Sequence, residues 1–205
     1  GPMKFKPIAA SAYQQTTSDP LVLNTKPWVI PEGYAQRIIS DESDLDIYPN
    51  SGGWTDMNTV NETGKRAGRY MYRTHEVRPG TDPFLGGAIS IVDLKTGEAE
   101  VLAQRADWEA LDGLVWTPWQ TLLFAEETIT AQLPDPDVPA AQSGLLYELK
   151  FANNDPTKVE EIKVRPKLGS LSHEGIEIDD EGNVYVIDED RKGAIYKFVP
   201  DTYGD

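Results

Sequence analysis

Ten side chains carry most of the chemistry this sequence could perform. Asp56, Asp112 and Glu174 each stand at the start of a short apolar run. Glu76, Glu126, Glu127, Asp188 and Glu189 each close a β-branched or aromatic run, and His75 and His173 stand beside two of these acids. Carboxylates gathered at one place repel and raise each other's pKa unless a cation is present. Hard oxygen donors in this number suit Ca²⁺ or Mg²⁺, and carboxylates with two imidazoles could also hold Fe, Mn or Zn. A single acidic pair would be read as a solvated loop end. Recurrence at matching places in three units favours metal binding. Glu76, Asp112, Glu126, Glu127, Glu174, Asp188 and Glu189 are the candidate ligands, and Asp56, His75 and His173 are ligands or their hydrogen-bonding supports.

The elements that would position them are clearest between Ser172 and Pro200. His173-Glu174-Gly175 leads into the alternating run Ile176-Glu177-Ile178, and a turn follows at Asp179-Asp180-Glu181-Gly182-Asn183, whose Gly and Asn tolerate positive φ. The run Val184-Tyr185-Val186-Ile187 stops at Asp188-Glu189-Asp190, and a strand from Ala194 to Val199 follows. Two earlier copies can be laid on this stretch. One starts at Asp56-Met57, has strands over 69–73, 87–92 and 99–103, and carries His75-Glu76 after the first of these. The other starts at Asp112-Gly113 and has strands over 121–124, 144–149 and 159–164, with Glu126-Glu127 after the first of these. Asp56 to Asp112 is 56 residues and Asp112 to Glu174 is 62. The extra length is the Pro-rich loop Leu133 to Pro139, a candidate lid.

A repeat of this length built of four short strands is the pattern of a β-propeller. The expectation is an all-β fold of about three four-stranded antiparallel blades, approximately 54–104, 110–165 and 172–200, forming half of a six-bladed ring. Three blades alone would leave apolar flanks exposed, so the reading calls for self-association or a second chain to complete the propeller. Residues 1–27 read as an extended arm, and 28–205 as the partial propeller. The short strand 34–39 is expected to close the third blade as its outermost strand.

Composition narrows the partners. A formal charge of −15 argues against nucleic acid or an anionic membrane, both of which want a basic surface. The absence of cysteine excludes disulfides, thiolate metal sites and Cys nucleophiles. No run approaches membrane-spanning length. Nothing after Met3 has the apolar segment of a secretion signal, which reads as cytoplasmic as the chain stands and exported if a leader is removed. Asn61-Glu62-Thr63 fits a glycosylation sequon that is usually chance in so short a window. The Asp179 to Asn183 turn has calcium-loop composition without the twelve-residue pattern and reads as a hairpin. Trp116 and Trp119 read as packing between blades.

The run Thr117-Pro118-Trp119-Gln120-Thr121-Leu122-Leu123 followed by Glu126-Glu127, the segment Arg73-Thr74-His75-Glu76, and His173-Glu174-Gly175 resemble the PhoX-type alkaline phosphatases, a family of six-bladed propellers. The resemblance covers about residues 28 to 200, the first part of that family's catalytic domain. It implies several Ca²⁺ ions and an iron centre held mainly by glutamates, acting on phosphate monoesters. It also implies Glu76, Glu127 and Glu174 as metal ligands, with Glu126, His75 and His173 nearby. The family's iron-binding cysteine precedes its TPW motif, where this chain reads Leu111-Asp112-Gly113. An aspartate there suits a hard cation and favours calcium over iron. The expected activity is a metal-dependent phosphomonoesterase on a small phosphorylated substrate. A non-catalytic calcium-binding scaffold and a lactonase-like metal-dependent hydrolase are the alternatives.

Overall fold

A computed structural model describes residues 9, 28, 30–47, 54–77, 83–127, 133–141, 143–190 and 193–204. The chain divides into two compact units, Gly1–Ile39 and Ser40–Asp205. In the first, Glu32 N–H donates to the Ala9 carbonyl and the Gln36 side chain pairs with the Trp28 backbone. Residues 34–39 form no strand, and Tyr34, Ile38 and Ile39 are exposed. The expected closing strand is therefore not formed. The stretch lacks the alternation that a half-buried strand requires, since its apolar residues fall at 34, 35, 38 and 39. The expected arm over 1–27 lies outside the described residues, Ala9 apart.

The second unit is all-β. Its first sheet runs in the order β1 (Trp54–Val60), β2 (Tyr70–Glu76), β3 (Ala88–Asp93) and β4 (Ala99–Gln104). The second has β5 (Leu111–Trp116), β6 (Leu122–Glu126), β7 (Leu146–Phe151) and β8 (Val159–Val164) in order. The third has β9 (His173–Ile178), β10 (Val184–Asp188) and β11 (Ile195–Phe198), three strands among the described residues. Every neighbouring pair is antiparallel. The expected strand runs are recovered, and several extend further than expected. β2, β6 and β10 continue into the acidic pairs, which places those pairs at strand ends rather than in loops.

Residues directly opposite in an antiparallel ladder share a face, so the registers show how the sheets stack. Tyr72 and Ile91 of the first sheet meet Leu114, Phe124 and Tyr147 of the second in one core that also holds Trp108, Trp116 and Phe151. Tyr72 and Trp116 stack at 6.0 Å across this junction, as expected for a tryptophan that packs between blades. The opposite face of the second sheet, with Leu123, Ala125 and Leu146, packs on Ile176, Val184 and Val186 of the third. Both faces of the second sheet are therefore apolar, and β6 is buried throughout. β5 lies between β1 and β9. A Cβ on Gly113 would stand 2.0 Å from the Glu174 carbonyl oxygen, so only glycine lets β5 come this close to β9.

The turns follow the sequence. Asn61, fully buried, accepts from Tyr70 N–H and donates to the Lys65 and Arg66 carbonyls, so the sequon asparagine is a turn clamp. Asp179 accepts from the Glu181 and Asn183 amides and from the Tyr185 hydroxyl, as befits a hairpin. The loop expected as a lid is pinned: Asp135 is buried and accepts from the amides of Asp137 and Val138, the Tyr147 hydroxyl and Arg105.

Candidate metal centre

Each of the three innermost strands carries the same irregularity. In the first sheet Thr55 pairs with His75 and Asn58 with Arg73, so Asp56 and Met57 together oppose Thr74. In the second, Leu111 pairs with Glu126 and Leu114 with Phe124, so Asp112 and Gly113 oppose Ala125. In the third, His173 pairs with Asp188 and Ile176 with Val186, so Glu174 and Gly175 oppose Ile187. Two residues against one is a β-bulge, which breaks pairing locally and re-aims side chains. In all three strands the first bulge residue is a carboxylate.

The registers also split each acidic pair. His75, Glu126 and Asp188 are paired residues on one face, so Glu76, Glu127 and Glu189 point the other way, as the two-residue period of a strand requires. That is the side of the bulge acids. Asp56, Glu76, Asp112 and Glu127 each bring a carboxylate oxygen within 4.8 Å of the others, and Glu127, Glu174 and Glu189 do the same. Glu127 belongs to both groups. Six carboxylates from three sheets thus converge, in two groups joined at one residue. Thr74 fixes the junction of the first two sheets beside them, donating from its hydroxyl to the Asp112 carbonyl at 2.7 Å.

Asp112 is 1% exposed, and its Oδ1 has no hydrogen-bond partner. Its carboxyl lies within hydrogen-bonding reach of Glu174. Burial first, then Glu174, Asp56 and Glu127, push its pKa up to about 9. Glu174 is raised as well, mainly by burial and then by Glu189. Without a counter-ion the mouth must therefore hold protons, because adjacent buried carboxylates cannot all ionise. A buried, unpartnered carboxylate oxygen on a group that sits with Asp56, Glu76 and Glu127, and within reach of Glu174, is the arrangement a hard divalent cation satisfies, and an all-oxygen donor set suits calcium or magnesium over soft metals.

Four sequence candidates stand elsewhere. Glu126 points into the core between the first and second sheets and accepts from the Glu109 and Leu145 amides. Burial raises its pKa to about 8. Asp188 accepts from the Asp190 amide. His75, fully buried, lies 2.6 Å from the Ser90 hydroxyl, which also accepts from Arg73. His173 is fully buried with Nε2 donating to the Gly169 carbonyl at 3.2 Å, and burial holds it below the ordinary histidine range, hence neutral. No histidine belongs to either carboxylate group. Reading consecutive residues as neighbours brought in these four, where a strand sends them to opposite faces. Asp56, expected as ligand or support, stands with the ligands.

The sequence matches no family model and no curated protein. Among solved structures, the chain is similar to a crystal structure from Bifidobacterium bifidum s17, described as that of a candidate exo-beta-1,3-galactanase. The identity is 16% and the TM-score 0.34 over 68% of this chain, and the match spans about half, 48%, of that protein's length.

Proposed function

We propose that this protein binds divalent cations of the calcium type at its six-carboxylate mouth and, so loaded, hydrolyses phosphate monoesters. The observation that carries the cation reading is Asp112: a buried carboxylate oxygen without a partner, on a group that sits with Asp56, Glu76 and Glu127. Asp56, Glu76, Asp112 and Glu127 would hold one cation, and Glu127, Glu174 and Glu189 a second. Cations bound there would supply charge neutralisation for phosphate oxygens and acidify a bound water. The protein's own share is fixed donors on bulged, close-packed strands and a partly buried setting that strengthens electrostatics. The phosphoester substrate rests on the resemblance of the TPW, Glu126-Glu127 and His173-Glu174-Gly175 segments to PhoX-type phosphatases.

The test separates enzyme from scaffold. Calcium should raise the melting temperature by mass action under either reading. Under the enzymatic reading a chromogenic phosphomonoester is turned over in the presence of Ca²⁺, and Glu127→Gln abolishes turnover while the fold survives. Calcium stabilisation with no turnover in any metal leaves the scaffold, and turnover of a lactone instead selects the lactonase-like alternative.

We also propose that the three sheets are half of a six-bladed ring completed by a second copy or another chain. Two observations support it. A Cβ on Gly175 would meet nothing within 4 Å, whereas its counterpart Gly113 abuts the next inner strand. The face of the third sheet turned away from the second exposes Ile187 and, at 71%, Ile195.

A further inference from the structure

Glu126 is buried next to the candidate ligand Glu127 in the chain, and both oxygens of its carboxylate accept from backbone amides. One oxygen accepts from Glu109 N–H at 2.8 Å, the other from Leu145 N–H at 3.3 Å. Between Glu109 and the start of β5 sits Ala110, a fully buried residue with φ of +45°, a conformation that costs energy for a residue with a Cβ. Such a residue persists only where its surroundings over-determine it. Here Glu126 holds the amide before Ala110, and Glu127 N–H donates to the Ala110 carbonyl at 2.8 Å. Leu111 then pairs with Glu126, and the bulge that aims Asp112 begins at the next residue.

A second layer stands behind the first. The Tyr147 hydroxyl lies 3.5 Å from Glu126 Oε1 and donates to Asp135 at 2.7 Å. Asp135 also takes Arg105, and it anchors the insertion loop through the Asp137 and Val138 amides. The Ser143 hydroxyl, which accepts from Leu133 N–H, donates to Glu109. The loop is therefore tied by side chains to Glu109, the residue before Ala110, and through Tyr147 to Glu126.

We propose that Glu126 is a positioning residue for the cation site, setting the strand start that carries Asp112 and the strand end that carries Glu127, and that the 133–141 loop is a latch holding it through Asp135 and Tyr147. This rests on the cation reading above. Supporting groups around metal ligands change affinity by about 10–100-fold when removed, and a removed ligand costs the ion itself.

Calcium titration by calorimetry on the full chain, with melting followed in chelator, tests it. Glu126→Gln puts an amide N–H₂ against a backbone donor that now has an acceptor. Its affinity for Ca²⁺ should fall about 10-fold with the number of bound ions unchanged. Tyr147→Phe, which keeps the ring packing, should weaken binding in the same direction by less. Loss of a bound ion in Glu126→Gln would make Glu126 a ligand and overturn the proposal. A lowered melting temperature with wild-type affinity in both variants would reduce the network to structural support and overturn it too. Wild-type protein that binds no Ca²⁺ overturns the cation reading itself, a result distinct from the other two.

Discussion

At Asp112 the protein accepts an arrangement that costs stability. Its pKa near 9 in the folded chain compares with an ordinary value near 3.8, so between these limits the folded state holds a proton that the unfolded chain releases. Stability linked to this group is therefore fully present below the unfolded value and is lost as pH rises towards 9, by at most about 1.4 kcal/mol per pH unit. Glu126, at about 8, acts in the same direction. Asp93, held near 2 first by its hydrogen bonds from Arg69, acts oppositely, its contribution being present above the unfolded value and lost in acid. The chelated protein should thus melt at lower temperature at pH 8.5 than at pH 6, and calcium should reverse the trend, since a cation displaces the proton more easily as pH rises. Melting temperatures across this range with EDTA and with Ca²⁺ check it. A chelated protein that gains stability towards pH 8.5 would contradict the assignment.

At the scale of the strand, the bulge is the device. Three inner strands each place two residues against one, and each begins the bulge with an acid. The second bulge residue is Met57, Gly113 or Gly175, and at Gly113 the room available decides it. Met57 packs on the core between the first two sheets, whereas Gly113 has the Glu174 carbonyl where a side chain would go. Gly113→Ala should therefore push β5 from β9, lower stability by about 1–3 kcal/mol as an overpacked core position, and weaken calcium binding. Gly175→Ala, with open space around it, should cost far less. Comparing the two in urea denaturation and calcium titration tests whether close approach of β5 and β9 builds the site. Equal effects at the two glycines would count against it.

At the scale of the whole molecule, the two outer sheets end differently. On the first sheet the face turned from the second is covered, with Arg73, His75 and Ser90 buried and Leu45 and Ile47 packed beside Val77 and Ala88. On the third the corresponding face is open at Ile187 and Ile195. A ring-completing chain would thus meet the third sheet first. Light scattering should find an assembly heavier than the 22.7 kDa chain, and Ile195→Lys should shift it towards the monomer. A strictly monomeric, stably folded wild type would overturn ring completion.

The period-two runs, the turn residues and the spacing of about 60 residues were enough to determine an all-β chain of three repeated antiparallel units, because those signals are local. They also placed Asp56, Asp112 and Glu174 in equivalent positions, and Glu76, Glu127 and Glu189 near them. Alternation by itself did not tell Glu127 from Glu126 or Glu189 from Asp188: β6 is apolar on both faces, so its pattern marks neither side as the mouth. Nor did the sequence show that residues 34–39 form no strand, or that the Pro-rich insertion is tied down by Asp135 rather than free to cover a site. Those outcomes were decided by which faces the sheets bury against each other and where the bulges break the ladder, and both depend on contacts between residues far apart in the chain.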